Sequence, residues 1–306
     1  VLYEVPFMTL KHFCLPTSTS SVARKAEKTE KVKCPPFASL TISVPGATHF
    51  DRENLSLVSF EKLGNALGNN NRKQQQQQQQ RVLYVGCGTG VLGLLALRFK
   101  LCSYVHFSDV NTEALESARR NAQNNGYEEG KHFRASIFDL NNNDHPLNNY
   151  PPTSCRFDVI LCNPPQMPGP KDLGYRRPDK YAGKDGMLYY RRLAYLAGKL
   201  SPTPRVVFMQ TSFSSFSEVD RIFHDIARLH VRTVHVQERK VSIKAVSALC
   251  SGQFRWLHDL QKVGTACFKK KEDSVIYSQR LAAASSHKKD AYNTHARATA
   301  RISSSL

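Results

Sequence analysis

Val82-Leu83-Tyr84-Val85 runs without a break into Gly86-Cys87-Gly88-Thr89-Gly90, and then into the apolar stretch VLGLLAL, residues 91–97. This junction restricts the fold more than any other part of the chain. Four consecutive apolar β-formers predict a buried strand. Three glycines in five residues let the backbone turn tightly and bring it close to a ligand with no side chain in the way. The apolar run beyond them predicts a helix over 91–100. A strand that turns at once into a helix is the first half of a βα unit.

The pattern repeats. Strands are predicted at 81–85, 104–108, 133–137, 157–162, 205–210 and 232–238, and helices at 91–100, 111–124, 186–199 and 216–229. Alternating units of this kind imply an α/β fold with a mostly parallel seven-stranded sheet and helices on both faces. The pattern fades beyond Glu238, and a last strand or hairpin is expected between about 264 and 280. That places the main domain at 81–280. Residues 1–36 read as a basic tail, disordered or partly ordered, and Val1 as a processed or truncated start. Residues 37–80 read as a lead-in with a strand over 37–46, a helix over 53–68 and then NNNRKQQQQQQQ. That low-complexity tract, like NNNDHPLNNYPP at 141–152, cannot bury a core face. Residues 281–306 read as a basic tail.

Charge and cysteines narrow the setting. Forty-three Lys and Arg against 25 Asp and Glu leave a formal charge of +18. Such an excess suits nucleic-acid, ribosomal or other acidic partners, and part of it comes from KKKEDS near 270 and the segment 287–301. The eight cysteines show neither CxxC spacing nor a matching histidine pattern, so neither zinc nor a disulfide framework is expected. No apolar run approaches the ~20 residues of a membrane helix. A reducing intracellular location follows, the cytoplasm first, with mitochondria as the alternative raised by the Ser/Thr/Lys/Arg-rich first 34 residues.

The third glycine follows the second by two residues rather than three, which departs from the dinucleotide pattern GxGxxG. In SYVHFSDV, Asp109 stands nineteen residues after Gly90 at the end of a strand. An acid there can accept hydrogen bonds from both ribose hydroxyls of a nucleoside. It could instead cap the next helix, a role open equally to Asn111 or Thr112. SIFDL offers Asp139 to an adenine amino group, with Phe138 or Ile137 as an apolar wall. Over 81–240 these features resemble class I S-adenosylmethionine-dependent methyltransferases. The resemblance implies S-adenosyl-L-methionine as cofactor. Gly86, Gly88 and Gly90 would hold its methionine part, Asp109 the ribose and Asp139 the adenine. Val85, Cys87, Val110, Phe138 and Asn163 complete the expected cofactor set.

FDVILCNPPQMPGP, 157–170, ends a buried strand in an asparagine locked before two prolines. The prolines fix φ and remove two backbone donors. The Asn163 side-chain oxygen and the Pro164 carbonyl remain as two rigid acceptors, suited to holding an NH2 group by both hydrogens. The run resembles the (Asn/Asp/Ser)-Pro-Pro-(Tyr/Phe) motif of amino-directed methyltransferases, which makes Asn163, Pro164, Pro165 and Gln166 the expected catalytic residues. Gln166 departs from the motif's aromatic, and Tyr175 or Tyr181 could supply a substitute face.

Further on, Gly183, Asp185, Gly186, Tyr190, Arg191 and Arg192 resemble a segment of the HemK-like protein glutamine methyltransferases. The same residues also read as the start of a helix packed by Met187, Leu188, Leu193 and Leu196. QTSFSS after the fifth strand departs from that family's acidic ending. The intervening loop 169–184 carries Lys171, Arg176, Arg177, Lys180 and Lys184, enough to track a phosphate backbone or an acidic protein surface. Three readings follow: methylation of a glutamine amide in a translation-related protein, methylation of an exocyclic amine in ribosomal or transfer RNA, or a catalytically weak RNA- or ribosome-binding paralogue. No metal site and no membrane partner is expected.

Overall fold

The computed structural model describes residues 28–34, 38–44, 60–68, 80–140, 156–170, 180–250 and 252–286. The Asn/Gln tract over 69–79, the second polar stretch, most of the basic loop (171–179, with Tyr175), and the terminal segments 1–27 and 287–306 lie outside the described residues.

Buried alternation builds the sheet. Strands β3 (Arg81–Val85), β4 (Tyr104–Asp109), β5 (Phe133–Ile137), β6 (Val159–Cys162) and β7 (Arg205–Thr211) run parallel. β8 (His230–Ser242) and β10 (Ser274–Ser285) complete the order β5-β4-β3-β6-β7-β10-β8, with β10 antiparallel to both neighbours. The short β9 (Phe268–Lys271) pairs antiparallel with the start of β10, making eight strands where seven were expected. The chain works outward from β3 through β4 to β5, then returns to the other side of β3 as β6. The switch point between β3 and β6, outside the carboxyl ends of the strands, is where open α/β sheets bind ligands.

Period-two alternation divides the core. Val82, Tyr84, Val105, Phe107, Val159, Leu161, Val207, Met209 and Leu281 face one side of the sheet. They meet α1 (Phe60–Leu67), α2 (Val91–Arg98) and α3 (Thr112–Asn124). Leu83, Val85, Ile160, Cys162, Val206, Phe208 and Ala282 face the other, under α4 (Leu188–Lys199) and α5 (Phe216–Ala227). All of Val91–Leu97 in α2 is buried. A helix apolar all round needs cover on both sides. The sheet is one cover, and the other comes from a separate hairpin, β1 (Lys28–Cys34) with β2 (Ala38–Val44), whose Ile42 is fully buried in the same core. No strand was predicted at β1, which falls in the stretch read as tail.

The far end of the sheet is taller than the sequence suggests. Gln279 of β10 is opposite Thr211, the last residue of β7, so Ser274–Ser278 rise beyond the carboxyl edge of the parallel strands. At about 3.4 Å per residue those five residues project roughly 17 Å. β9 takes the place of β7 along this portion, and β8 follows it on the other side up to Ser242. One face of the projecting wall packs on α6 (Ile243–Ser247) and α7 (Gln253–Lys262) through Phe213, Val246, Leu257, Phe268 and Val275. The polar run QERKVS hid the outer half of β8, because its other face is open to solvent and pairing with β10 decides its conformation. Below the wall, Arg280 is almost wholly buried and donates to Gln210 Oε1 (2.6 and 2.9 Å) and to Asp220 Oδ1 (2.6 Å).

Candidate active site

The glycine turn after β3 stands at the switch point. Gly86, Gly88 and Gly90 have φ of 63°, 53° and 80°, left-handed values that favour glycine. A Cβ on Gly86 would meet nothing within 4 Å, so the turn faces open space. The turn is pinned from β4: Cys87 N–H donates to the Ser108 carbonyl (3.0 Å), and Gly88 N–H to Asp109 Oδ2 (2.9 Å). From α3, Asn121 Nδ2 donates to the Thr89 carbonyl (3.0 Å).

Asp109 is therefore a brace for the turn. Its Oδ1 accepts from Asn111 N–H (3.0 Å), while the cap of α3 is the Asn111 side chain, which accepts from Glu113 N–H. A carboxylate has about four lone-pair sites. Two backbone donors leave capacity for the two hydroxyls of a ribose. Val110 (58 % exposed) and Ile137 (56 % exposed) are neighbours across the ends of β4 and β5 and form an open apolar ledge beside Asp109. Phe138 lies in the core beneath that ledge, 3 % exposed, and Asp139 follows half-buried. Val85 is buried under the turn. The open glycine turn, the braced carboxylate and the ledge fit the methionine, ribose and base of S-adenosylmethionine.

Burial pushes the Cys87 and Cys162 thiols well up, helped by the Asp109 charge. Both stay protonated at neutral pH and act as packing. Among the described residues no group of His, Cys, Asp and Glu could hold a metal ion, and no helix is long and apolar enough to cross a membrane.

β6 lies beside β3, with Cys162 opposite Val85, so the Asn163-Pro164-Pro165 turn leaves the sheet next to the glycines. Asn163 is half-buried and Pro164 buried. Gln166 folds back on this turn: its Nε2 donates to Asn163 Oδ1 at 3.0 Å, while its Oε1 is buried with no partner among the described residues. Behind it the chain makes a short parallel bridge, Met167 with Tyr181, flanked by bonds from Met167 N–H to the Lys180 carbonyl and from Gly169 N–H to the Gly183 carbonyl. Gly186, at φ 78°, lets this return segment press on the turn: a Cβ there would stand 3.4 Å from the Gln166 carbonyl and 3.2 Å from Ser214 Cβ.

Asp185 starts α4. Its Oδ1 accepts from Met187 N–H (2.9 Å), and its carboxylate pairs with Arg191. Burial opposes its ionisation, but Arg191 and the Met187 N–H outweigh that and hold its pKa below the usual range. Met187, Tyr190, Leu193 and Leu196 are buried, which makes this segment a packed helix start. In QTSFSS, Gln210 Nε2 donates to the Ser214 and Ser215 carbonyls, a structural clasp.

Two supports had no motif to announce them. Gln253 Nε2 donates to the Pro168 carbonyl (2.6 Å), and Nε1 of the chain's single tryptophan, Trp256, to the Lys184 carbonyl (2.9 Å). Both sit on α7. The only advance signal was the apolar spacing of Phe254, Leu257 and Leu260.

Comparison with known proteins bears on the same region. Residues 70–173 match the methyltransferase small domain. The chain is 30 % identical over 152 residues to a release factor glutamine methyltransferase of Agrobacterium fabrum, covering 47 % of this chain and 48 % of that protein. It is 38 % identical over 84 residues to a ribosomal RNA large subunit methyltransferase G of Erwinia tasmaniensis, covering 28 % and 20 %. The chain thus spans half or less of the length of these relatives. Among solved structures, the YcgJ protein of Bacillus subtilis is 13 % identical with a TM-score of 0.44, over 73 % of this chain and 97 % of that one. The glycine turn, Asp109, Asp139 and the Asn163 turn all fall within one stretch that is similar to methyltransferase small domains.

Proposed function

We propose that the chain is an S-adenosylmethionine-dependent N-methyltransferase whose acceptor is the carboxamide nitrogen of a glutamine side chain in a protein. The observation that carries this is the contact between Gln166 and Asn163. A carboxamide NH2 of the chain itself donates to Asn163 Oδ1 at 3.0 Å, so that oxygen, which takes no backbone donor among the described residues, is within reach of an amide. The 30 % identity to a protein named as a release factor glutamine methyltransferase supports the same acceptor.

In this reading the Gly86–Gly90 turn and Asp109 hold the cofactor, with Val110 and Ile137 beside the base and Asp139 at its amino group. When bound, the cofactor supplies an electrophilic methyl on its sulfonium. Asn163 Oδ1 and the Pro164 carbonyl grip the two N–H bonds of the acceptor amide. That fixes the plane of the amide and aims its nitrogen along the transfer axis. Orientation and the two acceptor dipoles do the work, with no strong base. The surplus proton leaves to water after transfer.

A second reading, an exocyclic amine of an RNA base as acceptor, is favoured by the 38 % identity over 84 residues to an enzyme named for ribosomal RNA. The test uses methyl-tritiated S-adenosylmethionine with an undermethylated cell extract, the product divided between protease and ribonuclease. Label released by protease supports the glutamine acceptor. Release by ribonuclease replaces it with the RNA amine, and no transfer at all, with cofactor bound, overturns both.

A further inference from the structure

The projecting wall has two unlike faces. Residues directly opposite each other in antiparallel strands share a face. Ile276 of β10 is opposite Lys240 of β8 and Lys269 of β9, and Ser274 is opposite Ser242 and Lys271. Val275, one residue out of step, is fully buried against α6 and α7. Lys240, Lys269 and Lys271 therefore stand on the outer face, and all three are exposed. Strand spacing puts Lys240 and Lys269 roughly 10 Å apart, and two residues along β9 put Lys269 and Lys271 roughly 7 Å apart. No ion pair engages any of the three among the described residues. Glu238, in the next row down beside Ser278, and the Glu272–Asp273 turn at the tip are the acids nearby.

We infer that this outer face docks single-stranded RNA through its phosphates. A protein partner fits it poorly. Protein interfaces need an apolar centre and are depleted in lysine, whereas this face offers one half-buried isoleucine among lysines and serines. A phosphate backbone needs spaced positive charge and little else, and lysine on its flexible stem serves as a point charge for it. The +18 charge of the chain adds a long-range attraction for a polyanion. The surface lies on the side of the wall away from α7, the helix whose Gln253 supports the segment after the Asn163 turn, so it holds the RNA of a target without being the acceptor site. It stands whichever acceptor is methylated.

The test compares the full chain with the triple variants Lys240→Glu/Lys269→Glu/Lys271→Glu and Lys240→Gln/Lys269→Gln/Lys271→Gln. Affinity for a fluorescent 20-nucleotide oligouridylate is followed by anisotropy from 50 to 300 mM salt, with S-adenosylmethionine affinity measured alongside by calorimetry. Losing three phosphate contacts should flatten the slope of log K against log salt by about 2, at ~0.7 per contact. It should also weaken binding at least tenfold at 100 mM, with cofactor affinity unchanged. The glutamine variant guards against repulsion as the cause. An unchanged slope in both variants overturns the proposal. So does equal competition by polyglutamate, which would mean an acidic protein partner.

Discussion

The two halves of the site are held by different means. On the β3–β4 side the glycine turn is fixed by its own backbone N–H groups on Ser108 and Asp109, about twenty residues on, and by the Asn121 amide, 32 positions from Thr89. On the β6 side the Asn163 turn is steadied from afar: Gln253 reaches the Pro168 carbonyl across 85 positions, and Trp256 the Lys184 carbonyl across 72. The first half is made of local geometry, which a short motif can encode. The second depends on tertiary packing around a third small core. A turn after a strand can thus be encoded as a short motif, while the support of the Asn163 turn is assembled by the particular fold around it.

Substitutions should separate the halves. Asn163→Ala removes the acceptor oxygen, and methyl transfer should fall by about 10²–10³, the usual scale for one preorganised polar group. Calorimetric affinity for S-adenosylmethionine should stay near wild type, and a parallel fall in affinity would break the division.

Acid should loosen the β4 side first. Burial, with Arg134 and Arg81 nearby, lowers the pKa of His106 from 6.5 to about 4. Its Nε2 pairs with Ser136 Oγ and its Nδ1 is buried with no partner among the described residues. The folded protein keeps it neutral while the unfolded chain takes up a proton. This stability is present above pH 6.5 and is lost as the pH falls towards 4. The loss amounts to on the order of 3 kcal/mol. Urea melts from pH 7.5 to 4.5 of wild type and His106→Leu should show the variant with a shallower loss, and equal slopes would acquit His106.

Asp109→Ala should weaken cofactor binding by about 1–3 kcal/mol, since it removes both the ribose acceptor and the brace on Gly88 N–H. An unchanged dissociation constant would leave Asp109 a part of the turn and nothing more. The smallest effect is expected at Gln166→Ala. Freed from an internal competitor worth about 0.5–1.5 kcal/mol, Asn163 should take its acceptor with a KM a few-fold lower and kcat little changed. A rise in KM would instead make Gln166 part of the acceptor's seat.

How much of this was legible follows the same division. Val82–Val85 into Gly86 predicted its strand, turn and helix because burial, propensity and glycine φ all agree there. Asp109 was read as a candidate ribose ligand or helix cap, but its contact with Gly88 N–H was not legible, because motif spacing does not give side-chain orientation. β1 and the outer half of β8 were missed since their conformation comes from a pairing partner distant in the chain. Gln166 was recognised as a departure. That it turns back onto Asn163 is a matter of rotamer and packing, which sequence alone does not express.

β10 has a further consequence. It is the last described strand to leave the ribosome, yet it pairs with β7, β8 and β9 at once. A nascent chain that has emerged only through α7 already contains the glycine turn and the Asn163 turn. Asp220 and Gln210, however, still wait for Arg280, and α7 has no sheet to lean on. Synthesis from the amino end thus presents both turns before α7, which braces the segment after Asn163, has β10 to pack against.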